Sequence, residues 1–311
     1  MTELTSVDLH CHSTASDGTL RPADVVRLAA DSGLSAIALT DHDTVAGVGE
    51  AAAEARRIGI EFLPGIELSC YFPRPGTLHL LGYGIDLHHP ELLRLIEEQA
   101  AAREDRNKGM VERLNRIGLD VSWHEVVDEA GGPDGIGSIG RPHLAAVMVR
   151  KGHVLSTRQA FDRYLGGSGV AYVDNNQLSA QRAIATVRAA GGMVSLAHPL
   201  QLRRQTPAQL EAMVGELAEQ GLEGLEVLHS GHDNDTVIRF MRMADRLGLI
   251  TTGGSDFHGS NKSSIRIGRP AGREIPREFY ERVVERVRSR RARARRGNRS
   301  NVVTAGAGMS F

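Results

Sequence analysis

The sequence predicts an α/β protein: a closed or nearly closed barrel of seven strand–helix units, interrupted once by a mostly helical insert. Three observations carry this. Seven short apolar runs have the length of buried strands, most adjoin segments of helical periodicity, and the stretch from about 90 to 176 contains no strong strand. Repeated strand–helix units with continuously apolar strands call for a parallel sheet covered by helices. The first strand is not followed by a Gly-rich phosphate loop, which favours closure over a doubly wound sheet.

The strand-like runs are Leu4–Leu9, Ala36–Leu39, Glu61–Pro64, Leu78–Gly82, Met193–Ala197, Gly224–Leu228 and Leu249–Thr252. Between them Pro22–Ser32, Val45–Ile58, Ala180–Ala190, Pro207–Gln220 and Asp235–Leu247 show helical spacing. Gly33, Gly59, Gly191, Gly221 and Gly248 stand just past these segments, where a left-handed helix end is wanted. Within the insert, Pro90–Ile117 reads as one or two helices, with shorter ones at Trp123–Ala130, Arg141–Arg150 and Thr157–Leu165. The barrel is therefore expected at 1–90 and 177–290, with 91–176 inserted beside its mouth. Glu274–Arg290 can form a closing helix, because Phe279, Val283, Val284 and Val287 share a face. The Arg-, Gly- and Ser-rich residues 291–311 are expected to be disordered, as a solubilising tail or a contact for RNA or another acidic surface.

The 311 residues are enough to bury a sizeable core, and 41% hydrophobic with 24% charged residues is an ordinary globular composition. A formal net charge of −1 argues against a nucleic-acid-binding polycation, although arginine is concentrated after residue 285. Two cysteines, Cys11 and Cys70, cannot build a disulfide framework. No apolar run reaches membrane-spanning length, and the N-terminus does not resemble a signal peptide. A reducing cytoplasm is the expected location, with no membrane and no obligate protein partner.

Chemistry gathers at the strand ends. His10 and His12 follow the first strand two residues apart, so in extended chain they face the same side and can hold one ion. Asp17 lies in the same loop, His42 follows the second strand, Glu67 the third, and His79 begins the fourth. His198 ends the fifth, and Asp256 and His258 follow the seventh. In a β/α barrel the C-terminal strand ends carry the site. Nine ligand-type residues falling there predict a polynuclear metal centre. Nitrogen and oxygen donors without thiolate suit Mn²⁺, Fe²⁺ or Zn²⁺, with Mn²⁺ favoured in a reducing compartment. Cys11, between two ligands, should face away into the core.

Asp8-Leu9-His10-Cys11-His12-Ser13, Thr40-Asp41-His42-Asp43, Gly65-Ile66-Glu67, Ala197-His198-Pro199 and Ser255-Asp256-Phe257-His258 resemble the PHP (polymerase and histidinol phosphatase) family over residues 1–90 and about 178–270. The resemblance implies a distorted seven-stranded barrel and two or three metal ions. One ion would be held by His10, His12, Glu67 and Asp256. A second would share Glu67 and take His79 and His198, and a third would take Asp17, His42 and His258. Some members have histidine where this chain has Asp17. Asp8, Asp41 and Asp43 are candidates to accept the ring N–H of a liganding histidine. The insert, with Gly140-Arg141-Pro142-His143, resembles the branch of nucleoside 3',5'-bisphosphate phosphatases and 5'→3' exonucleases of short RNA.

Three divalent ions outweigh the charge of Asp17, Glu67 and Asp256, so a phosphomonoester dianion fits what remains. The expected reaction is attack on phosphorus by a hydroxide bridging two metals, with the metals and nearby arginines stabilising the transferring oxygens. His229 and His232, after the sixth strand, are candidates to contact substrate and protonate the leaving alkoxide. Arg141 is the leading candidate to clamp a second phosphate, since a guanidinium makes bidentate contacts. His143, Lys262, Arg103 and Arg106 are further substrate candidates, although Arg103 and Arg106 read equally well as solvated surface arginines. His88, His89, His124 and His153 read as structural or surface residues. The leading function is removal of the 3'-phosphate from nucleoside 3',5'-bisphosphates, with 5'→3' trimming of short RNA. The alternatives are a histidinol-phosphate or other small phosphomonoester phosphatase, and a non-catalytic module associated with nucleic acid.

Overall fold

The structure, a computed structural model, describes residues 6–73, 76–132, 139–173, 178–204 and 206–305, with side chains as far as residue 293. Seven strands form one sheet in chain order: β1 (Ser6–Asp8), β2 (Leu34–Leu39), β3 (Glu61–Cys70), β4 (Leu78–Tyr83), β5 (Met193–Leu196), β6 (Gly224–Leu228) and β7 (Ile250–Gly253). The ring closes where the Leu9 N–H donates to Gly253 O at 3.2 Å and Cys11 bridges Phe257. Closure needs Gly254, because a Cβ there would meet the His10 backbone nitrogen at 2.6 Å.

The sheet is not wholly parallel. β4 runs antiparallel to both β3 and β5. β3 continues six residues beyond the expected end at Pro64 and turns back as a hairpin. Its later residues alternate, with Glu67 and Ser69 on one face between apolar neighbours, and alternation is what a hairpin strand shows.

Between these strands lie α1 (Pro22–Asp31) and α2 (Val48–Ile58); α3 (Pro90–Arg116), α4 (Trp123–Glu129), α5 (Arg141–Arg150) and α6 (Thr157–Ala160) make up the insert. α6 runs on into a π-helical turn, Phe161–Leu165. Then follow α7 (Ala180–Ala189), α8 (Pro207–Glu219), α9 (Asn234–Leu247) and the closing α10 (Arg277–Ala305). Their starts are chemically marked: Ser179, Thr206 and Asp233 each accept a hydrogen bond from the third helical N–H. All five glycines expected at helix ends have positive φ.

The barrel core joins strand residues such as Leu80, Leu81, Val194 and Leu225 to the inner faces of the covering helices. A separate cluster, from Met110 to Ala171, is the insert's own core. α3 belongs to both: Leu92 and Leu95 pack into the barrel, while Met110, Val111 and Leu114 pack into the insert. α3 thus reaches from the barrel core into this second cluster.

At the other end of the barrel, Phe279, Tyr280, Val283 and Val287 of α10 are buried in the barrel core. Arg277 pairs with Glu61 at the start of β3, and Arg286 pairs with Glu223 just before β6. α10 therefore seals the face where the parallel strands begin. It does not stop at Arg290. The stretch from Arg291, expected to be disordered, continues the helix to Ala305, and residues 306–311 lie outside the described residues. Arginine and alanine are good helix formers, and the packed turns before them supply the nucleus.

Candidate metal centre

Strand geometry brings the predicted donors to one end of the barrel. His10 and His12 leave β1, His42 leaves β2, and His198 leaves β5. Because β4 is antiparallel, its first residues lie where the parallel strands end, which delivers His79 to the same mouth. Glu67 lies inside β3 and is fixed by a bridge to His42. His79 stands opposite Ser69, two residues from Glu67, so the two side chains share a face.

Glu67 is the hub. Its Oε1 lies 2.9 Å from both His79 Nδ1 and His198 Nε2. Its Oε2 lies 3.3, 3.2 and 3.0 Å from His10 Nε2, His12 Nε2 and His42 Nδ1. Asp256 Oδ1 lies 3.5 and 3.4 Å from the same His10 and His12 nitrogens. Asp17 Oδ1 lies 3.2 Å from His258 Nε2, and Asp17 Oδ2 lies 3.9 Å from His42 Nε2. Among the described residues, three groups have donor atoms close enough for one ion each: His10, His12 and Glu67; His42, Glu67 and His79; and His12, Asp17, His42 and His258. The resemblance implies nearly the same division. His12 and His42, however, each reach two groups, and His198 meets the second at Glu67 Oε1 and edge-on against the His79 ring.

This donor set fits metal ions. Glu67 Oε2, His12 Nδ1, His42 Nδ1 and His198 Nδ1 are buried without a hydrogen-bond partner. Nε2 of His10 and Nε2 of His12 face each other at 3.1 Å, so at most one proton can lie between them. Buried polar atoms left bare are costly, and cations held by Glu67 and the imidazoles around it would answer those that face the cluster. Electrostatics agree. Burial disfavours charge on His10, yet Glu67, Glu226 and Asp256 hold its imidazole well above the usual histidine range. Burial opposes His12 too, but Asp256 and Glu67 raise it to about 9. Burial likewise resists ionisation of Glu67 and Asp17, but the imidazoles around them hold both well below the carboxylate range. Asp256 is held down against its burial by Lys262 and His10. The pocket is built to favour positive charge at its centre. Burial pushes His42 well below the usual range, keeping it neutral as a ligand must be.

The strongest support for a liganding histidine comes from a residue that sequence reasoning missed. Glu226, fully buried in β6, takes His10 Nδ1 at 3.0 Å on one oxygen and the His198 backbone N–H at 2.7 Å on the other. A lone acid in Gly224–Leu228 was the available clue. Asp8, Asp41 and Asp43 accept backbone and hydroxyl hydrogens instead. Asp8 takes the N–H groups of His10, Ser255 and Gly268. Asp41 takes the Ser13 N–H and the hydroxyls of Ser13 and Ser16. Asp43 takes the Ser69 N–H and pairs with Arg103. They fix loops rather than rings. Asp43, His198 and Asp256 have φ of 53°, 27° and 59°, a left-handed strain concentrated at this site.

A cavity of about 490 Å³ opens on the cluster. Asp17, His42, His79 and His258 of the cluster line it together with Arg103, Arg106 and Arg141 of the helices after β4, and Lys262 reaches in from the last loop to lie 2.5 Å from Asp256 Oδ2. Burial together with Arg106 and Arg141 pulls the Arg103 guanidinium down from its usual range to about 9, against Asp17, which raises it. His143 is not on the cavity wall; its Nδ1 accepts the Gly140 N–H and caps α5. His229 lies behind Asp256, 3.4 Å from Oδ2. His232 is turned away, donating from Nδ1 to Val227 O and packing edge-on against Phe240. Cys11 faces a hydrophobic cluster with Val25 and Leu39. His88 and His124 are exposed, and His153 contacts Asp120 O. No helix among the described residues is long and apolar enough to cross a membrane.

Comparison with known proteins agrees with this geometry. The model of the PHP domain matches residues 8–101. The chain is 36% identical over 251 residues to the 5'-3' exoribonuclease of Haemophilus influenzae, covering 81% of this chain and 89% of that protein. It is 33% identical over 286 residues to the 3',5'-nucleoside bisphosphate phosphatase of Chromobacterium violaceum, covering 90% and 99%. A solved structure from Bifidobacterium adolescentis, described as a metal-dependent phosphoesterase, matches with a TM-score of 0.81 at 31% identity over 91% of this chain and 96% of that one. The chain belongs to the PHP family, and it is a metal-dependent phosphoesterase homologous to the branch of nucleoside bisphosphate phosphatases and exoribonucleases.

Proposed function

We propose that the chain removes the 3'-phosphate of nucleoside 3',5'-bisphosphates and trims short RNA in the 5'→3' direction. The observation that carries this reading is one cavity lined both by Asp17, His42, His79 and His258 and by Arg103, Arg106 and Arg141. Its volume suits a ligand of nucleotide size. One phosphate reaches the cluster while a second reaches the arginines. The names of the Haemophilus and Chromobacterium relatives support the same substrate class.

The proposed ligand sets are His10, His12, Glu67 and Asp256; Glu67, His79 and His198; and Asp17, His42 and His258. Divalent ions held there, Mn²⁺ first and Fe²⁺ or Zn²⁺ as alternatives, would supply Lewis acidity. The chain's own groups do the rest. Glu226 orients His10, leaving its Nε2 for the cluster. His229 Nδ1 accepts the Gly231 N–H, so its proton is held at Nε2 beside Asp256. His232 directs its proton to Val227 O, and burial pushes it down to about 4. His229 is therefore the better proton donor for the leaving alkoxide. Arg141 and Arg106 bind the second phosphate, Lys262 approaches the first, and Arg103 is partly neutralised by Asp43.

The separate insert core supports the division into a barrel of 1–90 and 177–290 and an insert of 91–176 over its mouth. Two buried, unbridged cysteines support a reducing cytoplasm. The test is hydrolysis by the Mn²⁺-loaded protein of a nucleoside 3',5'-bisphosphate, a short 5'-phosphorylated RNA and histidinol phosphate. Turnover of histidinol phosphate alone would replace the reading with an amino-alcohol phosphatase. No turnover of any would assign the cavity to a different phosphate ester.

A further inference from the structure

α10 changes character along its length. Up to Glu285 its charges answer one another, as Arg277 does Glu281 and Arg282 does Glu278. Eight arginines and no acid follow, so the first 285 residues carry a formal charge of −9 and the remainder +8. Among the described side chains, Val287 is the last of α10 in the barrel core. Arg286 and Arg290 both pair with Glu223, so one carboxylate serves two guanidinium groups. Arg288 is exposed beside Glu61, which already pairs with Arg277. Arg291 donates to Gly84 O at 2.6 Å, the last hydrogen bond from a described α10 side chain to the barrel, and Arg293 is exposed.

The backbone stays helical beyond Arg291 as far as Ala305, a further rise of roughly 20 Å. Arg293, Arg295, Arg296 and Arg299 fall on this stretch, and from Arg291 to Ser300 no apolar residue is larger than alanine. A helix that lies in a membrane surface or docks in a protein groove needs bulky apolar anchors at helical spacing. None is present there. What the stretch offers is dense positive charge at a spacing that repels: Arg291 and Arg295 stand four apart, as do Arg295 and Arg299. A chain of phosphates relieves that repulsion and releases its own counterions in doing so.

We propose that Arg293, Arg295, Arg296 and Arg299 of α10 form a docking surface for the phosphate backbone of RNA, on the face of the barrel opposite the metal centre. The acidic body repels a polyanion, and the basic helix supplies the attraction that draws one in. The surface strengthens the hold on RNA too long for the cavity and adds nothing to the hold on a nucleoside bisphosphate. The choice of RNA as occupant rests on the proposed function, in which RNA is a substrate.

The test compares the Mn²⁺-loaded parent with the full-length variant R293Q/R295Q/R296Q/R299Q, since glutamine keeps helix propensity. The probe is a single-stranded RNA too long for the cavity, its backbone made of phosphorothioates that resist hydrolysis, titrated over a range of salt. The variant is expected to bind RNA at least about tenfold more weakly at low salt, and the slope of log K against log salt should shrink by about 3. Its kcat and KM for the nucleoside 3',5'-bisphosphate should match the parent's, which also shows that it folds. A chain ended at Ala292 removes the same four arginines and decides the matter if the glutamine variant does not fold. An unchanged slope, or a parent that does not bind the RNA, overturns the proposal. So does tighter binding of phosphatidylserine vesicles or polyglutamate than of RNA, lost in the same variant, which would assign the helix to a membrane or an acidic protein. Trimming of short RNA by the parent is read separately: its absence with RNA binding intact would strike RNA from the substrates and leave it the partner of α10.

Discussion

Glu226 Oε1 and His10 Nδ1 lie 3.0 Å apart, both fully buried, at the junction of β6 and the loop after β1. The same carboxylate holds the His198 backbone through its other oxygen, so one acid sets two liganding segments. Burial disfavours charge on Glu226, yet His10 keeps it below the usual carboxylate range.

Replacing Glu226 with glutamine keeps the shape and removes the charge that orients the His10 ring. Metal affinity should fall by about ten- to a hundredfold, as for other outer partners of liganding histidines. Metal titration of E226Q against the parent protein measures this. Unchanged affinity would mean that His10 is placed by packing alone.

Metal-free protein should respond to pH in the opposite sense from loaded protein. His10 and His12 have folded pKa values raised above the unfolded value near 6.5. The stability they contribute is therefore complete below about 6.5 and is lost as pH rises through about 9 at His12. Glu67, Asp17 and Asp256 are depressed, so their contribution is present above the carboxylate range and lost only in acid. Chelated protein should then show a falling Tm between pH 6.5 and 9. Over the same interval Mn²⁺ affinity should rise, since binding displaces those protons. A chelated Tm that is flat or rising across this range would contradict the charge balance described for the cluster.

Periodicity exposed the seven strands and the helical insert, and strand-end position exposed most of the donors. What it could not show was direction. A short apolar run such as Leu78–Gly82 reads the same whether β4 is parallel or antiparallel. Only the pairing with β3 explains why His79, at the beginning of its strand, meets residues from the ends of the others. Glu226 escaped notice because a charge inside a five-residue apolar strand has no periodic partner; its meaning lies in His10, far off in sequence. Asp43 and Arg103 are likewise joined only by the fold. Composition misled at the C-terminus, where an Arg-rich run suggested disorder but continues an already packed helix.

The Asp43–Arg103 pair is a brace between the loop after β2 and α3, with side chains only 4% and 15% exposed. Removing Arg103 leaves a buried carboxylate without its counter-charge. R103A should lose about 3 kcal/mol of stability in urea denaturation, as buried pairs do when one partner is removed. The R103A/D43N double variant should recover part of that loss. If R103A weakens only substrate binding and leaves stability intact, Arg103 belongs to the phosphate clamp rather than to the scaffold.

Asp17 stands in the third of the proposed ligand sets and in neither of the others. Its carboxylate lies 3.2 Å from His258 Nε2, 3.9 Å from His42 Nε2 and 3.8 Å from His12 Nδ1, and its side chain is 21% exposed at the cavity edge. The Asp17 backbone carbonyl accepts from Asn261 Nδ2 at 2.8 Å, and the Thr19 N–H donates to His258 O at 3.2 Å. The loop therefore keeps its place without the Asp17 carboxylate. D17N should lower the metal content by one ion per chain while the ions on Glu67 remain, a change read directly from metal-to-protein ratios. Activity should fall in step, because the loss removes positive charge from the end of the cavity that faces the phosphate. Retention of every ion would remove Asp17 from the ligand set. Loss of every ion would show instead that the three sites fill as one unit, which the hub position of Glu67 would then explain.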